Sequence, residues 1–353
     1  EDGGVEKNLY EVSNYLIKNN INIEVITCND NMSFKFSKNV KFIGTKNFFW
    51  HNKSRYIKYF LCLIILFITL IKKKEKTLVF AFQANIYAII IAKILNVKII
   101  TRSNSAPSGW SKNYIKNSVY KFIIKLSNDV MVNSIEFKKS FEKKFKVKVA
   151  CIYNPFNKNF IIDKLKSKKK LKFFKKNYLN IISVGRLTDQ KDHLTLLKSI
   201  KLLEPEFKIK VIIIGKGINK KPLQNFITEN KLKEKIKLLG YTNNPFPYIR
   251  KANIVILTSR FEGLPNILLE AQYLRKYIIS TDCPTGPREI LLNGKAGDLI
   301  KIKDHKKLSL LIKEYHNKKK LIANKINIGS KNFYRFNYEL NCKKYLDFVN
   351  KNF

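Results

Sequence analysis

Short runs of consecutive apolar residues alternate along this chain with longer stretches in which apolar side chains recur every three or four positions. The runs at Ile21–Thr27, Thr77–Phe82, Lys98–Thr101, Val130–Asn133 and Val147–Ile152 read as strands buried on both faces. Helical stretches at about 52–71, 84–95, 112–127 and 134–145 separate them. A further helical pattern through Val5, Leu9, Val12, Leu16 and Ile17 precedes the first strand.

From Asn154-Pro155 to Tyr178 this order weakens, and the Lys-rich stretch KLKSKKKLKFFKK at 164–176 reads as an interdomain connection. The alternation then restarts, with strands at Ile181–Gly185, Lys210–Ile214, Ile236–Leu239, Ile254–Thr258, Ile278–Thr281 and Asp298–Ile300. Each parallel crossover needs a helix's length of chain, so both halves are expected to be parallel sheets covered by helices. The expected fold class is α/β with two doubly wound domains, residues 1–155 and 178–330, joined by a linker at 156–177. The closing segment 331–353 carries Phe333, Phe336, Tyr338, Leu340, Tyr345, Leu346 and Phe348, too many large apolar groups for a solvated tail, and is expected to be a packed helix. The chain enters its first helical pattern almost at Glu1 and without an initiator Met, so further residues are expected upstream.

Composition agrees with two globular domains. The 353 residues are 45% hydrophobic and 27% charged, and Gly and Pro are too few for a disordered or collagen-like chain. The formal charge of +43 is spread evenly over the two halves. A chain-wide bias toward Lys gives that pattern, and so does weak attraction to anionic membrane. Specific nucleic-acid binding is not expected, because zinc-finger spacing and RNP-like strands are missing. Five separated cysteines without a C-x-x-C pair fit a reducing cytosol, and four scattered histidines suggest no metal site. The uncharged run Tyr59–Ile71 is 13 residues long, where a spanning helix needs about 20. Two readings of it stay open: a buried core helix, or an interfacial helix whose basic flanks rest on anionic headgroups.

Candidate chemistry is sought in loops that follow strands, where open parallel sheets bind ligands. After Gly185, the sequence Arg186-Leu187-Thr188-Asp189-Gln190-Lys191 places two cations able to grip a diphosphate and stabilise a departing phosphate. After Thr258, Pro265 is suited to the first position of a helix, so the amides around Asn266 and Ile267 form an anion seat. Glu262 just before that helix suits neutral sugar hydroxyls, and Glu270 about one turn inside it suits a vicinal diol such as ribose. A third loop, Thr281-Asp282-Cys283-Pro284-Thr285-Gly286-Pro287, leads into another helix near Pro287. Gly215 and Gly217 form a G-x-G that is weak evidence without a third glycine.

Taken together, GRLTDQK at 185–191, Glu262 and Glu270 flanking GLPN, TDCPTGPREIL at 281–291 and Asn154-Pro155 resemble the retaining glycosyltransferases of the family 4 type, which have the GT-B fold. The segment 281–291 is most similar to bacterial enzymes that add N-acetylhexosamine or hexose to lipid-linked oligosaccharides or surface polysaccharides, N-acetylgalactosaminyltransferases among them. The resemblance implies two Rossmann-like domains facing each other across a cleft, with 1–155 taking the acceptor, 178–330 the donor, and 331–353 crossing back to the first domain. It implies that Arg186 and Lys191 hold the donor diphosphate, Glu262 meets the donor sugar and Glu270 the ribose, with Gly185, Gly263, Leu264, Pro265 and Asn266 around them. Gly3-Gly4 match the family's glycine-rich loop near the phosphates and acceptor, and the strand that precedes this loop is expected before Glu1. An acceptor-side histidine of the family is missing here. Arg102-Ser103-Asn104 stands in the corresponding loop, which makes Arg102 and Asn104 the acceptor-side candidates.

The chain has no D-x-D triplet, so no metal is expected, with Arg186, Lys191 and the helix end supplying its electrostatic role. The implied reaction is retaining transfer of a sugar from UDP-N-acetylhexosamine or UDP-hexose to a lipid-linked or growing surface glycan. The acceptor hydroxyl attacks from the front face and passes its proton to the leaving phosphate oxygen. Expected partners are the nucleotide-sugar, a glycan or polyprenyl-diphosphate-linked acceptor and an anionic membrane. The expected place is the cytoplasm, peripheral on the inner face of the cytoplasmic membrane. An epimerase or phosphorylase on the same scaffold and a non-catalytic sugar-nucleotide-binding protein are the alternatives.

Overall fold

The computed structural model describes residues 4–27, 33–44, 54–73, 75–104, 113–167 and 171–353. They fall into two compact units, Glu1–Pro155 with Tyr338–Phe353, and Phe156–Asn337. The first unit runs α1 (Gly4–Lys18), β1 (Glu24–Ile26), β2 (Lys41–Ile43), α2 (Arg55–Lys72), β3 (Leu78–Ala81), α3 (Asn85–Ile94), β4 (Lys98–Arg102), α4 (Tyr114–Lys125), β5 (Asp129–Val132), α5 (Ile135–Phe145) and β6 (Ala150–Cys151). The second continues with α6 (Lys158–Leu165), β7 (Leu179–Val184), α7 (His193–Lys201), β8 (Ile209–Ile214), α8 (Lys220–Glu229), β9 (Ile236–Gly240), α9 (Phe246–Lys251) and β10 (Ile254–Leu257). It ends with α10 (Asn266–Tyr273), β11 (Tyr277–Thr281), α11 (Pro287–Ile290), β12 (Asp298–Ile300), α12 (His305–Lys313) and α13 (Lys319–Lys331), after which α14 (Tyr338–Asn352) belongs to the first unit.

Among the described residues every strand pair is parallel. The first unit holds a β3-β4-β5-β6 sheet and a separate β1-β2 pair. Side chains alternate across the larger sheet: Val79, Ala81 and Ile99 meet α2, α3 and α4, whereas Phe80, Ile100 and Met131 meet α1 and α14. Strand β2 was not among the expected strands. Its three residues are too few to show alternation, and only its pairing with β1 marks it as a strand.

In the second unit the order is β12-β11-β10-β7-β8-β9. The chain leaves β7 toward β8 and β9, then returns to the other side of β7 as β10, β11 and β12. The boundary between β7 and β10 is therefore the topological switch point of the sheet, the place where open parallel sheets bind ligands at the carboxyl ends of their strands. The core strands are fully apolar where both faces are covered, as in Val211 to Ile214.

The stretch 156–177, read as a linker, belongs to this unit. Its α6 packs against α9 through Phe160 and Phe246, whose ring centroids lie 6.0 Å apart. Phe174 is buried, and the Lys210 ammonium sits 5.1 Å from the Phe173 ring centre and 5.4 Å from that of Tyr178. These aromatic anchors hold a segment whose lysines made it look solvated. The closing segment 331–353 divides at Asn337: the 3-10 turn Phe333–Phe336 packs in the second unit with Phe156 and Tyr273, and α14 joins the core of the first with Tyr345, Phe348 and Val349.

Candidate active site

The site is built at the carboxyl ends of the neighbouring strands β7 and β10. Strand β7 ends at Val184, and the Gly185 amide donates to the Ile214 carbonyl, which turns the chain out of the sheet. A Cβ at Gly185 would stand 3.3–3.4 Å from three methylenes of Lys191, so the bare glycine leaves the lane along which that side chain runs. Lys191 Nζ donates to Glu262 Oε1 at 2.6 Å, and Ser259 Oγ donates to the same oxygen at 2.6 Å. The pair is largely withdrawn from water, with side-chain exposures of 15% and 8%. Oε1 thus accepts two bonds, and Oε2 takes neither of them.

Three strand-end loops are fastened to one another around this pair. Gln190 Nε2 donates to the Phe261 carbonyl, and the Arg260 amide donates to the Gln190 carbonyl, binding the first loop to the second. The Thr258 hydroxyl donates to the Lys191 carbonyl, fixing the start of the lysine side chain. The Thr281 hydroxyl donates to the Ser259 carbonyl, and the Glu262 amide donates to the Pro284 carbonyl, binding the second loop to the third. Gly286 has φ +87°, and a Cβ there would overlap the Gly263 carbonyl oxygen, so the third loop crosses the second with no space for a side chain. Arg186 is exposed beside this assembly, with its guanidinium 3.3 Å from Gln190 Oε1.

Helix α10 starts at Asn266, with Pro265 one position earlier than expected, at the N-cap. The proline still leaves the first turn's amides to face an anion. Gly263, Leu264 and Pro265 are buried in the turn that aims them, and Glu270 lies one turn along, half-buried. His193 opens α7 beneath the first loop, its Nδ1 3.3 Å from Ser183 Oγ. Burial, reinforced by the Lys191 charge, pushes the imidazole down to about 4, so it is neutral at ordinary pH. Burial beside Glu262 pushes the Cys283 thiol up to about 12, which leaves it without thiolate character. No group of metal-ligating side chains occurs among the described residues.

Lys191 and Glu262 are thus joined directly, Arg186 reaches the same loops through Gln190, and Glu270 follows one turn along α10. The first-unit candidates are placed differently. Gly3 lies outside the described residues, and Gly4 is the exposed first residue of α1. Arg102 is a correction: it ends β4 fully buried, with Nε donating to Tyr345 Oη at 3.0 Å and Nη2 to Asn154 Oδ1 at 2.6 Å. Its Nη1 donates to Asn104 Oδ1, and Asn104 in turn donates to the Phe82 carbonyl. The guanidinium is committed to Tyr345 of α14 and to Asn154 just after β6, so Arg102, with Asn104, braces the end of β4 from within. Residues missed from the sequence are Gln190, Thr258, Ser259, Thr281 and His193. The signal for three of them was present: Thr258, Ser259 and Thr281 are polar groups at the ends of wholly apolar strands.

Residues 163–332 match the family described as glycosyl transferases group 1. The second unit carries a glycosyl transferases group 1 domain. An uncharacterized glycosyltransferase of Methanocaldococcus jannaschii is 37% identical to the chain over 183 residues, 49% of this chain and 44% of that protein. A Campylobacter jejuni N-acetylgalactosamine-N,N'-diacetylbacillosaminyl-diphospho-undecaprenol 4-alpha-N-acetylgalactosaminyltransferase is 31% identical over 47% of this chain and 46% of its own. The chain therefore matches less than half the length of these two relatives. A second Campylobacter jejuni alpha-1,4-N-acetyl-D-galactosaminyltransferase, named for a diphospho-undecaprenol-linked substrate, is 26% identical over 91% of this chain and 89% of its own. The Anabaena protein HepE, solved in complex with UDP, superposes with a TM-score of 0.80 at 16% identity, covering 99% of this chain and 97% of that one. Sucrose-phosphate synthase of Thermosynechococcus elongatus superposes at 0.78 with 13% identity, covering 99% and 93%. These likenesses show the fold, GT-B, with two Rossmann-like domains. Within the glycosyltransferase domain the matched region contains all three fastened loops.

Proposed function

We propose that the protein is a retaining glycosyltransferase that moves a hexosyl or N-acetylhexosaminyl group from a UDP-sugar to a lipid-linked or growing surface glycan. The observation that carries this reading is the convergence of Arg186, the Lys191–Glu262 pair and the amides opening α10 on the β7/β10 switch point. Two cations and a helix N-terminus suit a diphosphate and the charge that grows on it as it leaves, without a metal ion. The three donors of Lys191 allow it to keep Glu262 while meeting a phosphate oxygen. Oε2 of Glu262 then serves sugar hydroxyls, and Glu270 serves the ribose diol. The names of the Campylobacter relatives support N-acetylhexosamine transfer to a polyprenyl-diphosphate-linked acceptor, and UDP in the HepE complex supports the nucleotide. The domain's family favours transfer over epimerisation or binding alone. In this reading the protein works peripherally at the cytoplasmic face of a membrane.

The test is a panel of UDP-sugars with a polyprenyl-diphosphate saccharide, followed by NMR of the anomeric configuration of the product. Glu262→Ala and Lys191→Ala are each expected to lower turnover about a hundredfold. Undiminished turnover in both variants removes the site assignment, and an inverted product removes retention.

A further inference from the structure

The first unit presents an apolar surface on three neighbouring helices. Helices α2, α3 and α4 lie side by side over one face of the β3-β4-β5-β6 sheet, α2 packing on α3 and α3 on α4. Each turns one apolar stripe inward: Leu63 and Leu66 from α2, Ala88, Ile89 and Ala92 from α3, and Ile123 from α4. Each also carries a second apolar stripe that remains in water. On α2 it runs Phe60, Ile64, Phe67 and Ile71, stepping by four, three and four, along a helix about 27 Å long. Tyr87, Ile90 and Ile94 continue it on α3, and Ile115, Val119 and Phe122 on α4. Phe60, Ile94 and Phe122 are 64%, 71% and 66% exposed. Single exposed apolar residues are ordinary, whereas three adjoining helices with a stripe each form a patch of the kind that marks a docking face.

Charge identifies what it docks on. The sequences of these three helices contain seven Lys or Arg and no Asp or Glu. A second copy of the chain would bring a like-charged face against this one, which opposes pairing. A bilayer with anionic headgroups accepts both features at once, the apolar stripes entering the acyl boundary while the lysines meet phosphates. No helix among the described residues is long and apolar enough to cross a membrane, so the contact is one of lying on the surface. We infer that the α2–α3–α4 face is the surface by which the protein rests on an anionic membrane. The inference deepens the reading of a lipid-borne acceptor, because it keeps the protein at the plane where such an acceptor lies.

The test uses the full chain with phosphatidylcholine vesicles, with and without about one-third phosphatidylglycerol, in the absence of donor and acceptor. The wild type is expected to sediment with the anionic vesicles only, and to be released by salt of about 0.5 M. A Phe60→Ser, Phe67→Ser, Phe122→Ser variant should lower the partition coefficient by about tenfold or more while keeping its circular dichroism. Lys116→Gln, Lys121→Gln, Lys125→Gln, which leaves the apolar stripes intact, should weaken binding and its salt dependence together. Wild-type protein that ignores anionic vesicles, or variants that bind as the wild type does, overturn the inference. A lipid-free dimer abolished by the serine substitutions overturns it in favour of self-association. Vesicle binding that survives in a protein without transferase activity sinks the catalytic reading and leaves this one standing.

Discussion

Removing the lysine of the Lys191–Glu262 pair should damage the fold of the second unit as well as its activity, and removing both charges should repair only the fold. In Lys191→Met the Glu262 carboxylate keeps the Ser259 hydroxyl but loses its cation, in a site where the side chain is only 8% exposed. Breaking a buried pair by deleting one partner costs about 3–5 kcal/mol, because the remaining charge is left without compensation. The lysine's partial exposure of 15% points to the lower end, about 3 kcal/mol. For a unit of this size that amounts to a fall in Tm of about 6–12 °C. The double variant Lys191→Met, Glu262→Gln removes both charges while the amide can still accept from Ser259, and should return to within about 1 kcal/mol of the wild type. Transfer should stay at the level of the single variant, since on the proposed reading diphosphate and sugar have both lost their partners. Calorimetry of the four members of the cycle, with turnover measured on the same samples, checks this. A single variant that melts within about 2 °C of the wild type, or a double variant no more stable than the single, would show that the pair is not a buried charge pair in solution.

Acid should expose the role of His193. Its folded-state value of about 4 lies below the ordinary 6.5, so between these values the unfolded chain binds a proton that the folded chain refuses. The stability this group confers is complete above pH 6.5 and falls by about 3 kcal/mol as the pH drops to 4. Denaturant titrations at several pH values, as the difference between wild type and His193→Gln, should slope in that sense, and a flat difference contradicts the burial. Gly286→Ala meets both the positive φ and the Gly263 carbonyl, so it should lower stability by about 1 kcal/mol or more. It should also weaken UDP-sugar binding by displacing the turn before α10, and unchanged UDP affinity by calorimetry would argue against a shared donor seat.

The strands and helices of both units were legible because their apolar residues recur with periods the backbone imposes. Strand β2, only three residues long, has no period to read. The candidate donor-side residues could be picked out for a related reason. Arg186, Lys191 and Glu262 lie in loops that leave a strand end, and Glu270 lies in the helix that follows one, so order along the chain goes far toward placing them. The switch point between β7 and β10 was not legible, because it depends on strand order, which local periodicity does not carry.

Arg102 shows where the same logic misleads. Being at a strand end suggested an open loop, but a strand sends alternate side chains to opposite faces, and Arg102 shares the parity of Ile100. Ile100 belongs to the core that α14 covers, so Arg102 is carried under the same helix, to Tyr345. Its partners, Asn104, Asn154 and Tyr345, stand at separations of 2, 52 and 243 residues, too widely scattered for any spacing rule to gather. The cation lies 5.4 Å from the centre of the Phe82 ring, and these hydrogen-bond acceptors are all neutral. Neutral acceptors let a buried guanidinium tie β4, β6 and α14 together without enclosing a carboxylate. They also give Asn154 in the Asn154-Pro155 pair a concrete task, since it fastens the chain at the point where it leaves the first unit.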